Sequence, residues 1–84
     1  MALVQFKDEI NNVCITRKMA APKKVERVEY WFKAARKVIP EIPGTYQSRT
    51  TQVTGKWITW ELESPRGERC YVVIDRSIPA IGAN

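Results

Sequence analysis

The chain has 84 residues, 44% of them hydrophobic, with 14 basic and 9 acidic side chains and a formal net charge of +5. That length supports one modest core, so a single domain over residues 1–84 is expected, and there is no repeat period or low-complexity tract. Histidine is absent, Cys14 and Cys70 match no zinc-ligand spacing, and no apolar run approaches the ~20 residues of a membrane-spanning helix, which excludes a metal centre of the common kinds and a membrane partner.

The opening MALVQFKDE lacks the basic-then-apolar layout of a secretory signal. A cytoplasmic location is therefore expected, with both thiols reduced and buried. Residues 2–19 fit two templates. Leu3, Phe6, Ile10 and Val13 follow a helical stripe, whereas Val4, Phe6, Val13 and Ile15 fit strands on either side of Asn11-Asn12. Two asparagines weaken a helix but suit the positive φ of a tight turn, which favours a hairpin. A two-residue turn there would set Phe6 against Arg17 and Asp8 against Ile15.

Pro22 suits a first helical turn, and the spacing of Val25, Val28, Phe32, Ala35 and Ile39 predicts a helix that Trp31 and Val38 widen toward a sheet. Pro40 stops it, and Glu41-Ile42-Pro43-Gly44 reverses the chain. Residues 45–53 are threonine-rich and alternate weakly, the mark of an edge strand. A turn at Val53-Thr54-Gly55 would lay Tyr46, Ser48 and Thr50 beside Leu62, Trp60 and Ile58.

The stretch from Lys56 to Arg76 is the most fully specified. Ile58, Trp60 and Leu62 recur at period two, as do Cys70, Val72 and Ile74, around Ser64-Pro65-Arg66-Gly67. A type I turn closed by a left-handed Gly67 pairs Leu62 with Cys70, Trp60 with Val72 and Ile58 with Ile74, gathering six apolar side chains on one face. The opposite face then pairs Glu63 with Arg69, Glu61 with Tyr71, Thr59 with Val73 and Trp57 with Asp75, the first as an ion pair. The tail, residues 77–84, has no period and is expected to be loosely held, with Ile78 and Ile81 as its only large apolar groups. The expected fold is α+β: one amphipathic helix on a three-stranded antiparallel meander, with an N-terminal hairpin, or alternatively a helix, added.

Gly55-Lys56-Trp57 and Ser64-Pro65-Arg66-Gly67 resemble, over this hairpin alone, the sheet that plant apetala-type domains lay in the DNA major groove. In that family the helix follows the sheet, whereas here it precedes it, and no contacts are carried over.

Charge is concentrated. Residues 22–39 hold six basic and two acidic side chains, a net charge of +4. At 100° per residue, with the apolar stripe on the sheet, Lys23, Arg27, Lys33 and Lys37 form a solvent-side ridge around Tyr30. Nucleic-acid phosphates are the natural counterpart of such a ridge. The bland reading is a solvated amphipathic face with Glu29 and Lys33 as an i,i+4 pair. A second candidate surface is the outer sheet face, where Arg49, Thr51, Trp57, Thr59, Arg69 and Tyr71 would gather, since aromatics beside arginines stack bases or anchor protein interfaces. There the bland reading has the amino-terminal segment covering Trp57 and Tyr71 as a second small core.

No histidine, phosphate loop or nucleophile with a base is present, so neither an enzyme nor a cofactor is expected. The leading expectation is a small basic accessory protein that contacts DNA or RNA phosphates through Lys23, Arg27, Lys33 and Lys37, with Arg49, Lys56 and Arg69 supporting. The alternative is a protein-protein interaction module, such as an inhibitor or adaptor encoded by a phage or mobile element, docking through Trp57, Tyr71 and nearby arginines.

Overall fold

In the computed structural model, which describes residues 1–76, strands β4 (Trp57–Glu63) and β5 (Arg69–Asp75) form the hairpin in the expected register, from Trp57 opposite Asp75 to Glu63 opposite Arg69. The turn explains why. Gly67 takes φ 84, its N–H donates to the Ser64 carbonyl (2.9 Å), and the Ser64 N–H donates to the Glu68 carbonyl (2.8 Å). Ser64 Oγ accepts further N–H bonds from Arg66 (3.2 Å) and Glu68 (2.9 Å), so the side chain at the first turn position ties down the loop. All six inward side chains, Ile58, Trp60, Leu62, Cys70, Val72 and Ile74, are buried.

The expectation for residues 77–84 lies outside the described residues. The amino-terminal segment is a hairpin of β1 (Ala2–Asp8) and β2 (Val13–Met19), but its turn differs from the one predicted. A four-residue loop, Glu9 to Asn12, pairs Asp8 with Val13 and Phe6 with Ile15, so the poor pairings of a two-residue turn do not arise. Asn12 alone takes the left-handed φ of 56, and the Asp8 carboxylate accepts from the Asn11 N–H (3.2 Å) and Nδ2 (2.8 Å).

Strand β3 (Gln47–Thr54) is an edge strand, and every residue in it is exposed. Its register is displaced from the predicted one. Gly55 at φ 56 opens a two-residue turn with Lys56, Thr54 lies opposite Trp57, and a bulge between Ser48 and Thr50 leaves Arg49 as the extra residue. The five strands form one antiparallel sheet in the order β2-β1-β5-β4-β3, so β1 extends the predicted meander alongside β5.

Helix α1 (Val28–Val38) packs on one face of this sheet. Trp31, Ala35 and the C-cap Ile39 are buried against Val4, Phe6, Trp60 and Val72, and Phe32 tilts on Trp60 with ring centroids 5.1 Å apart. The helix begins six residues after Pro22. No Ser, Thr, Asp or Asn stands at its entry, and Lys23 and Lys24 in a first turn would face the positive end of the helix dipole. Residues 22–27 instead form a turn in which the Val25 carbonyl accepts from Trp31 Nε1 (3.0 Å), and Val25 itself is exposed. Arg17 of β2 locks the other end, donating to the Val38 carbonyl (2.8 Å) and pairing with Glu41 (3.3 Å). A hydrogen bond from the Glu41 backbone N–H, and after it the bond from Arg17, lowers the Glu41 pKa.

Candidate functional site

Lys33 and Lys37 follow one another at i,i+4 along α1, about 6 Å apart along the axis. The turn that precedes the helix folds Lys23 and Lys24 back beside them. Together with Pro22, Tyr30 and Ala34, these four lysines line an open groove of about 410 Å³. No acidic side chain lines it, and among the described residues no carboxylate lies within 4 Å of these four ammonium groups. The expected Glu29–Lys33 pair is not formed, although Glu29 lines a neighbouring hollow together with Phe32, Arg36 and the same Lys33 and Lys37.

Tyr30 organises the near end of the groove. Lys24 Nζ and the Arg27 guanidinium each lie 5.9 Å from its ring centroid, which holds two cations on one aromatic. Arg27 thus joins the ridge through Tyr30 and not as a groove wall. Lys24, which helical geometry alone did not place on the ridge, belongs to it because residues 22–27 are not helical. Arg36 is turned away and lies over Phe32 at 6.0 Å.

The remaining predicted cations are elsewhere. Lys56 occupies the β3–β4 turn, and its carbonyl accepts from the Arg76 N–H (2.8 Å). The Arg76 guanidinium donates to the Gly55 carbonyl and stacks over Trp31 at 5.6 Å. Arg49 and Arg69 lie on the sheet face opposite the helix, where both approach the same carboxylate oxygen of Glu61, at 3.8 and 3.7 Å. Arg69 therefore pairs diagonally with Glu61 and not with Glu63 across from it. The bulge turns Arg49 to this side along with Thr50, which donates to Glu61 (3.1 Å). Thr51, predicted on this face, is opposite Trp60 and so lies on the helix side.

Among the described residues nothing packs on the outer face. The amino-terminal hairpin joins the sheet edge to edge and does not cover it, so Trp57 (51% exposed) and Tyr71 (38%) stay open to solvent. Cys14 is on this face too, exposed and free beside Lys7, in contrast to the expected burial, because it sits at an outward position of the edge strand β2. Cys70 is buried and free. The predicted site residues thus form two surfaces on opposite sides of one sheet, a lysine groove and an aromatic-arginine face.

Among the described residues no cluster of His, Cys, Asp or Glu has the grouping of a metal site, and no helix is long and apolar enough to cross a membrane. In comparisons with known proteins, the chain matches no family model, no curated protein and no solved structure.

Proposed function

We propose that this chain binds nucleic acid through the phosphate backbone, seating it in the groove lined by Lys23, Lys24, Lys33 and Lys37. The observation that carries this reading is that four lysines, drawn from a turn and a helix, line one open groove with no acidic residue among its walls. The one acidic residue of the first helical turn, Glu29, lines the adjoining hollow that shares Lys33 and Lys37, and forms no ion pair with either. Phosphates would displace counterions from the lysines, giving salt-dependent affinity. Contacts to phosphates carry no sequence information, so binding of this kind is indifferent to sequence and open to DNA or RNA.

The test is fluorescence anisotropy with labelled duplex and single-stranded oligonucleotides. The double variant Lys33→Glu/Lys37→Glu should abolish binding, while Arg49→Gln/Arg69→Gln on the other side of the sheet should leave it within about twofold. Equal binding by the wild type and the lysine variant refutes the proposal.

A further inference from the structure

The two edges of the sheet are not alike. β2 is guarded: Arg17 and Lys18 stand side by side on it, and Arg17 reaches the Val38 carbonyl (2.8 Å) and Glu41 (3.3 Å) at the end of the helix. β3 has no such guard beyond its bulge. From Thr50 to Thr54 the edge reads TTQVT, with no charge, no proline and no irregularity, and every residue in it is exposed. The helix packs over β1, β5 and β4, so both faces of β3 stay open.

The register shows which backbone groups are free. Thr54 and Trp57 flank a two-residue turn, so they exchange both hydrogen bonds, and bonded and unbonded pairs alternate from there. Thr50 and Gln52 therefore turn their N–H and C=O groups to β4, whereas those of Thr51 and Val53 point away from the sheet. Thr51 and Val53 also carry their side chains on the helix side, opposite Trp60 and Ile58.

We propose that this edge pairs with the same edge of a second copy, antiparallel about a two-fold axis at Gln52. The segment is its own complement, which selects the occupant. Thr51 lies opposite Val53 of the second copy and exchanges both hydrogen bonds with it, and symmetry repeats the exchange, so the outward groups of both residues are satisfied. Gln52 faces itself as an unbonded pair, and Thr50 meets Thr54. No like charges meet across the axis, and Val53, 52% exposed, gains a β-branched neighbour. Centring on Thr51 or on Val53 instead would run one end of the pairing into the bulge or the turn. Arg49 stays at the rim, with Glu61 at 3.8 Å. The axis is perpendicular to the sheet, so five strands from each copy join in one continuous sheet with both helices, and both lysine grooves, on the same face. The pairing itself needs neither those lysines nor nucleic acid.

Sedimentation equilibrium of the full chain alone should show a weak monomer–dimer equilibrium, as suits a small contact. The register is tested by cysteine placement in a Cys14→Ser background. Gln52→Cys brings two Cα atoms to about 4.5 Å across the axis, within disulfide range, and mild oxidation should give a covalent dimer. Val53→Cys leaves its two Cα atoms about 7–8 Å apart on a diagonal and should cross-link at least tenfold more slowly. Gln52→Lys and Gln52→Glu should each weaken association about fivefold, and an equimolar mixture of the two should restore it. Lys33→Gln/Lys37→Gln should leave association unchanged. Matching unfolding curves for the Gln52 variants confirm that the loss is at the contact. The proposal is overturned if the wild type stays monomeric up to about 1 mM. It is equally overturned if Val53→Cys cross-links as fast as Gln52→Cys, or if the mixed charge variants associate no better than either alone.

Discussion

Salt dependence gives the sharpest measure of the lysine groove. Four ammonium groups line it, so four phosphate contacts set the upper bound. On duplex DNA this corresponds to a slope of log affinity against log salt of about −3.6, or roughly a 150-fold loss between ~50 and ~200 mM salt. Replacing Lys33 and Lys37 by glutamine removes two contacts without adding repulsion, and the slope should fall to about −1.8, or roughly a 12-fold loss over the same range. Single strands should give proportionally shallower slopes, since their charge is less dense. The assay is anisotropy across a salt series, and the slope matters more than affinity at any one salt concentration. A lysine variant with weaker binding but an unchanged slope would mean that these side chains do not meet phosphates, and the reasoning would fail.

Trp60 and Trp57 are three positions apart on the same strand but face opposite ways, which makes them an internal control. Trp60→Ala should cost about 3–5 kcal/mol in urea unfolding because it empties a site packed on Phe32, whereas Trp57→Ala should stay within about 0.5 kcal/mol. Comparable losses from the two would contradict the assignment of the sheet faces. Burial, with a smaller contribution from the Asp8 charge, pushes the Cys70 thiol up from 9.0 to about 11. The folded state thus favours the neutral thiol, so the stability linked to it is complete below the unfolded value and is lost as pH rises through the folded one. A thiol reagent should modify Cys14 on the native protein and Cys70 only after unfolding, and equal rates for the two would refute this.

Legibility in the sequence followed how tightly each segment's chemistry constrained its neighbours. The β4–β5 pairing was readable residue by residue because two strict alternations and a Pro-x-Gly turn admit one register, and a slip would bury Glu61 and Glu63. In β3, QSRTTQVT is polar on both faces, so its position as an edge was evident but its register was not, and the choice of turn residues decided it wrongly. The helical stripe was plain from Val28 to Ile39, while Val25 fitted the period by coincidence and lies outside the helix. The place of β1 beside β5 had no local signal, since that pairing joins residues about seventy positions apart. The lysines of the candidate groove were identifiable from charge density and helical spacing. Lys24 was missed because it depends on where the helix fails to start.

The position of β1 also bears on how the molecule is made. Ala2–Asp8 is held on one flank by residues 13–19 and on the other by residues 71–75, so a growing polypeptide builds this strand early and completes its surroundings late. Until β5 is synthesised, the hairpin of β1 and β2 carries Val4 and Phe6 with one backbone flank open, a form prone to pairing with other nascent chains. Pairing across so long a sequence separation should slow folding, with closure of β1 against β5 as a late step.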